Sequence, residues 1–179
     1  MKICVYCASS PSVKEELKEQ AKIIGGFIAK NNHILVYGGA TGGLMDSVAQ
    51  AARDDGGQVI GVIPKLLVET GRESNLPSEQ IVVEDMNARK AKLKEISDIF
   101  IVLPGGYGTL DEFYDTITSG QLGYFDKKIF LVNFKNYFEG TILQTKKMQH
   151  ENLGYQNRKN NLIVTGDAEE TITKIESLE

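Results

Sequence analysis

Ile99-Phe100-Ile101-Val102-Leu103-Pro104-Gly105-Gly106-Tyr107-Gly108-Thr109-Leu110-Asp111-Glu112 is the stretch that decides the fold. Its first five residues are an unbroken apolar run of strand length, with no polar alternation, so a strand covered on both faces is expected. Phe113, Tyr114 and Ile117 continue at helical spacing, which makes the glycines a strand-to-helix turn. Glycine in such a turn lets backbone N–H groups approach a ligand with no Cβ in the way. The helix that follows offers unpaired N–H groups and the positive end of its dipole, a setting for an anion such as phosphate.

The same grammar runs outward in both directions. Lys2 to Ala8 reads as a first strand, and Ser12 with Glu15 as a capping box that opens a helix to about Lys30. That helix carries Leu17, Ala21, Ile24 and Ile28 on one stripe. His33 to Tyr37 is a second strand ending in Gly38-Gly39-Ala40-Thr41-Gly42-Gly43, and a helix follows through Leu44, Met45, Val48, Ala49 and Ala52 to Gly56-Gly57. Val59 to Ile63 is a third strand, Ile81 to Glu84 a fourth, Lys128 to Asn133 a sixth and Asn161 to Val164 a last one. Helices are expected at about Asn87 to Ser97, at Tyr137 to His150 and after an Asp167/Glu170 capping box. Between Pro64 and Ser78 periodicity vanishes, which predicts a long loop of the kind that often carries function.

Apolar strands alternating with helices predict an α/β, doubly wound, Rossmann-like parallel sheet of about six to seven strands with helices on both faces. Ligands in that fold sit at the carboxyl ends of the strands, where every unusual turn of this chain falls. The 179 residues suit one domain, 1–179. A net charge of −4 speaks against a nucleic-acid backbone partner. No apolar stretch approaches the length of a membrane span, and Met1-Lys2-Ile3 leads into a strand pattern rather than a signal peptide, so a cytoplasmic protein is expected.

Several familiar chemistries do not fit the residues. A dinucleotide site calls for G-x-G-x-x-G after the first strand, where Ala8-Ser9-Ser10-Pro11 stands, and no Gly-Lys-Ser/Thr marks a P-loop. Cys4 and Cys7 form C-x-x-C inside a strand, where residues three apart point to opposite faces, so a buried inert pair is expected. His33 and His150 lack neighbouring ligand types, and no metal is expected. The Gly38–Gly43 run serves either a ligand or close helix packing. Arg89 and Lys90 fall near the start of a helix, where cations oppose the dipole unless an anion shares that end of the sheet. Thr109 and Glu112 have the spacing of a capping box, and Glu112 beside an anion pocket also suits an acid–base role.

Met86, Arg89 and Lys90 followed by Pro104-Gly105-Gly106-Tyr107-Gly108-Thr109 and Glu112 resemble the paired signature M-x-x-R-K and P-G-G-x-G-T-x-x-E of the Lonely guy family. These are cytokinin riboside 5′-monophosphate phosphoribohydrolases, often labelled lysine decarboxylases. The resemblance extends through Cys4–Ser10, Val36–Gly39, Gly43–Met45, Gly61–Pro64 and Gln121–Gly123, over about residues 1 to 165. It departs at Ala8 and Asp46, where relatives often have glycine, at Asn87 (histidine), at Ser119 (tryptophan) and throughout the 65–78 loop. The resemblance implies cleavage of the N-glycosidic bond of a purine nucleoside 5′-monophosphate, with no cofactor and no metal, by a homodimer. It implies Arg89 and Glu112 as catalytic residues, and Arg89, Lys90, Gly105, Gly106, Tyr107, Gly108 and Thr109 as substrate-binding residues. The other readings are a non-catalytic nucleotide or cofactor carrier and a decarboxylase. The latter needs a Schiff-base lysine in a recognisable setting, which the sequence lacks.

Overall fold

Seven parallel strands build a single sheet in the order β4-β3-β2-β1-β5-β6-β7. The computed structural model describes residues 1–153 and 161–178. The chain lays down β1 (Lys2–Tyr6), α1 (Glu15–Lys30), β2 (Ile34–Tyr37), α2 (Gly43–Asp54), β3 (Gln58–Pro64), α3 (Lys65–Glu69) and β4 (Glu79–Val83), moving steadily to one side. It then returns through α4 (Met86–Ile96) to place β5 (Ile99–Val102) against the free edge of β1, with Ile3 opposite Ile99 and Val5 opposite Ile101. α5 (Tyr107–Leu122), β6 (Ile129–Val132), α6 (Glu139–His150), β7 (Leu162–Thr165) and α7 (Ala168–Glu176) complete the other side. Strand order therefore reverses between β1 and β5, and a crevice opens at their carboxyl ends.

Both faces of the sheet are covered. Ile24 and Ile28 of α1, Leu44 and Val48 of α2 and Ile175 of α7 pack on one face with Ile3, Val5 and Leu35. Leu93 of α4, Phe113 of α5 and Phe138 before α6 pack on the other with Val36, Phe100 and Leu131. Strand period decides which residue goes where: Cys4 joins the second cluster and Cys7 the first, both buried and unbridged. No helix among the described residues is long and apolar enough to cross a membrane.

Two sequence expectations about local structure change. The Ser12/Glu15 box does not form, because α1 starts with Lys14 as its cap residue and no side chain bonds the cap. Glu15 turns instead to Lys18 and Lys22, at 3.1 and 3.2 Å. The 65–78 segment is not all loop, since Lys65–Glu69 forms the short helix α3, too brief to display a helical period. Toward the C-terminus, a 3-10 turn at Phe134–Asn136 delays α6 to Glu139, with Lys135 and Asn136 at φ of 51° and 60°.

Candidate active site

Parallel strands leave their last carbonyls unpaired at one edge, and a cation is the natural guest there. Arg89, the fourth residue of α4, reaches across that edge. Its Nε donates to the carbonyl of Val62 on β3 at 3.1 Å, and its Nη2 to the carbonyl of Gly38 at the end of β2 at 3.3 Å. Nη1 lies 2.9 Å from Oε1 of Glu112 and 3.9 Å from the sulfur of Met86. Arg89 is 4% exposed and Glu112 3%, so this is a buried ion pair. Its cationic end at the start of α4 is tolerated because Asp85 caps that helix, accepting the Ala88 N–H at 2.8 Å.

Gly38 makes the arrangement possible. A Cβ at that position would stand 1.8 Å from Arg89 Nη2, so only glycine admits the guanidinium. Gly42 and Gly43, at φ of 110° and 55°, press against backbone oxygens of Ser9, Ser10 and Ala8. The run thus serves close packing at its end and, at its start, makes room for the Arg89 guanidinium.

Glu112 comes from α5, and its placement overturns the capping-box reading. α5 begins at Tyr107 with Gly106 as the cap residue, so Thr109 already lies inside the helix. The Thr109 side chain tucks under Gly105, where a Cβ would meet its Oγ1 at 2.1 Å. Glu112, one turn deeper, faces the protein interior and Arg89. No side chain caps α5 and no acidic residue occupies its first turn, which leaves its N-terminal N–H groups and dipole unopposed. Beneath it, Thr116 donates to the Glu112 carbonyl at 2.7 Å and lies 3.1 Å from the Tyr6 hydroxyl, bracing the turn that carries the carboxylate.

These elements enclose a cavity of about 260 Å³. Gly106, Gly108, Thr109 and Glu112 of the α5 start form one wall, with Arg89 beside them. Cys7, Ala8, Ser9 and Ser10 from the β1–α1 turn form another, and Ala40, Met45, Leu67 and Arg72 close it. Burial raises the Glu112 carboxyl above its ordinary value of 4.5, with Arg89 pulling the other way and Asp111 adding to the rise. The Cys7 thiol is also pushed up by burial, so it lines the cavity as a neutral wall.

Of the residues singled out in the sequence, the structure brings together Arg89, Gly106, Gly108, Thr109 and Glu112. It places three elsewhere. Lys90 points away from the cavity to Asp111 on α5, at 2.9 Å. Tyr107 is 95% exposed. Gly105 lies behind the turn, on a neighbouring cavity of about 520 Å³, and its carbonyl accepts the Tyr137 hydroxyl at 2.7 Å. Of the apolar residues at helical spacing after the glycine turn, Phe113 fills the core, while Tyr114 and Ile117 are partly buried against it. Arg72 was missed, because the 65–78 segment offers no period and no motif from which to pick it out.

The family model described as "Possible lysine decarboxylase" matches residues 45–175. A cytokinin riboside 5′-monophosphate phosphoribohydrolase of Arabidopsis thaliana is 39% identical over 175 residues, covering 98% of this chain and 81% of that protein. The chain belongs to the Lonely guy family. A Mycobacterium tuberculosis relative, named cytokinin riboside 5′-monophosphate phosphoribohydrolase, is 46% identical over 138 residues, 77% of this chain and 73% of its own length. The fold extends beyond the family. The molybdenum cofactor carrier protein of Chlamydomonas reinhardtii superposes with a TM-score of 0.76 at 21% identity, over 99% of this chain and 96% of that one. Identity at that level speaks to the fold alone.

Proposed function

We propose that this chain hydrolyses the N-glycosidic bond of purine nucleoside 5′-monophosphates, AMP or a cytokinin riboside monophosphate, to free base and ribose 5-phosphate. The observation that carries the reading is the buried Glu112 carboxylate, 2.9 Å from Arg89, at the floor of a cavity whose wall is the uncapped start of α5. The 5′-phosphate docks on the N–H groups at Gly106, Gly108 and Thr109, which sets the ribose one helical turn deeper, at Glu112.

N-glycoside cleavage builds positive charge at C1′, by analogy with glycoside hydrolysis. Glu112 stabilises that charge, holds the ribose hydroxyls and takes a proton from the attacking water. The water oxygen bonds to C1′, the C1′–N bond breaks, and its electron pair leaves with the base, which gains a proton at that nitrogen. Three of the Arg89 nitrogens are engaged by Val62, Gly38 and Glu112, so its role is to orient the carboxylate and keep it ionisable. Lys90, paired with Asp111, ties α4 to α5 behind the site. The functional unit is proposed to be a cytoplasmic homodimer. Two buried free thiols suit a reducing compartment, and the exposed Leu122 and Tyr124 at the end of α5 offer apolar contact area.

Purified protein incubated with AMP is expected to release adenine and ribose 5-phosphate, and to leave adenosine intact, as followed by chromatography. Tight AMP binding with no adenine released would favour a carrier instead. A monomeric mass by light scattering at micromolar concentration would remove the dimer.

A further inference from the structure

The proposed site has a charge deficit. Arg89 and Glu112 cancel, and without a further cation the cavity they floor would meet a phosphate dianion with neutral donors only, helix N–H groups and the hydroxyls of Ser9, Ser10 and Thr109. Lys90, the other cation that the signature offers, is held by Asp111 outside the cavity. One further cationic side chain lines the cavity among the described residues, and it is Arg72. It comes from the 65–78 segment, outside both signature motifs.

We infer that Arg72 is the cation that holds the 5′-phosphate against the start of α5, and so sets the preference for phosphorylated over unphosphorylated ribose. The inference rests on the phosphoribohydrolase reading of the same cavity. Its first support is that the Arg72 guanidinium is exposed and forms no ion pair with any carboxylate of the described residues. In this it differs from Arg89, whose three side-chain nitrogens each have a partner. Its second support is that the backbone carrying Arg72 is fixed even though its side chain is not. The Arg72 N–H donates to Leu67 at 2.8 Å and its carbonyl accepts from Thr41 at 2.9 Å. Glu73 bridges Ala40, and Ser74 N–H donates to Gly39 at 2.9 Å. The segment is therefore stitched to the same β2–α2 turn that seats Arg89, and Arg72 lines the cavity together with Gly106, Gly108 and Thr109. Asp46, in the first turn of α2, is engaged by the Gly42 N–H at 2.7 Å and by Thr41 at 3.1 Å. A planar guanidinium lining the same small cavity as a helix N-terminus matches the several oxygens of a phosphate.

Calorimetry with ribose 5-phosphate and with ribose separates this from the hydrolase reading, because it requires no turnover. Arg72→Ala is expected to weaken ribose 5-phosphate by about ten- to a hundredfold, the usual effect of one charge-assisted contact, and to leave ribose unchanged. KM for AMP rises by the same factor while kcat stays within about threefold, the pattern of lost ground-state binding. Arg72→Lys recovers part of the affinity. Unchanged ribose 5-phosphate affinity in Arg72→Ala, or an equal loss for ribose, overturns the assignment. So does a fall in kcat at constant KM. Wild-type protein that binds ribose 5-phosphate through Arg72 yet releases no adenine from AMP overturns the hydrolase reading and upholds the phosphate contact.

Discussion

Thr109-Leu110-Asp111-Glu112 and Asp167-Ala168-Glu169-Glu170 carry the same spacing of a short polar residue and a glutamate, and the chain folds them in opposite ways. At α7 the pattern caps the helix. Asp167 accepts the Glu170 N–H at 2.8 Å, and Glu170 reaches back to the Gly166 N–H at 2.6 Å, all at the surface. At α5 the helix starts ahead of the pattern, Thr109 packs under Gly105, and Glu112 is drawn inward to Arg89. The difference lies in what stands opposite. Glu170 faces water, and closing on a backbone N–H is its best available bond. Glu112 faces a buried guanidinium, which outcompetes a cap and leaves the α5 N–H groups open. A capping pattern in sequence therefore states an opportunity, and a partner far along the chain decides whether it is taken.

The largest expected effect is at Glu112. A cap would accept glutamine, whereas an acid–base group would not. Glu112→Gln is expected to lose at least about a hundredfold in turnover of AMP, the lower end for a positioned acid–base residue. Its stability should stay near that of the wild type, because burial disfavours the charged carboxylate and the amide oxygen still accepts from Arg89. Wild-type turnover in this variant would make the two helix starts equivalent after all.

Acidity sharpens the same contrast. Burial raises the folded-state value of Glu112 above 4.5, so the folded protein binds this proton more tightly than the unfolded chain does. The group therefore favours folding most below 4.5. Stability falls as pH climbs from there to the raised folded value, and is flat beyond it. Wild-type minus Glu112→Gln melting curves should show that slope, and the acid limb of the rate profile should lie above 4.5. A limb at or below 4.5 would assign the rate to another group.

Gly38→Ala tests the seat of the cation without touching either charge. Its methyl would stand where Arg89 Nη2 lies, 1.8 Å away, so the guanidinium must shift. A destabilisation of about 1–3 kcal/mol is expected from overpacking. Turnover should fall with it as the Arg89–Glu112 pair moves. A stable, fully active variant would show that Arg89 tolerates a second position.

Much of the fold was legible. Ile99 to Leu103, Ile129 to Val132 and Val59 to Ile63 are apolar runs long enough to be strands, and each leads into a turn. The seating of β5 beside β1 was not, because it depends on which strand edge remains free once β1 to β4 have paired. Arg89 and Glu112 were recognisable, but their partnership was not, since neither carries any mark of the other. Lys90 shows a placement that the motif does not reveal. It shares the Arg89 motif, yet successive helical residues face different directions, and Lys90 meets Asp111 instead of the cavity. Arg72 had no signal at all, because α3 is a single turn and the strand-like bridge at Glu73 is one residue long.

The smallest effect is reserved for the other helix. Glu170→Gln preserves the acceptor oxygen that meets the Gly166 N–H and removes only an exposed charge near the positive end of α7. Its ion pair with Lys174, at 3.4 Å, is a surface pair with both side chains more than a third exposed. Such pairs contribute little, so a change within about 0.5 kcal/mol is expected in denaturant unfolding. AMP turnover should stay at the wild-type rate. The same chemical substitution at two glutamates in matching positions would then differ by at least about two orders of magnitude in turnover. A large loss of activity from Glu170→Gln would instead mean that both positions are sensitive to charge for a general reason, and the contrast between a glutamate that caps and one that faces Arg89 would collapse.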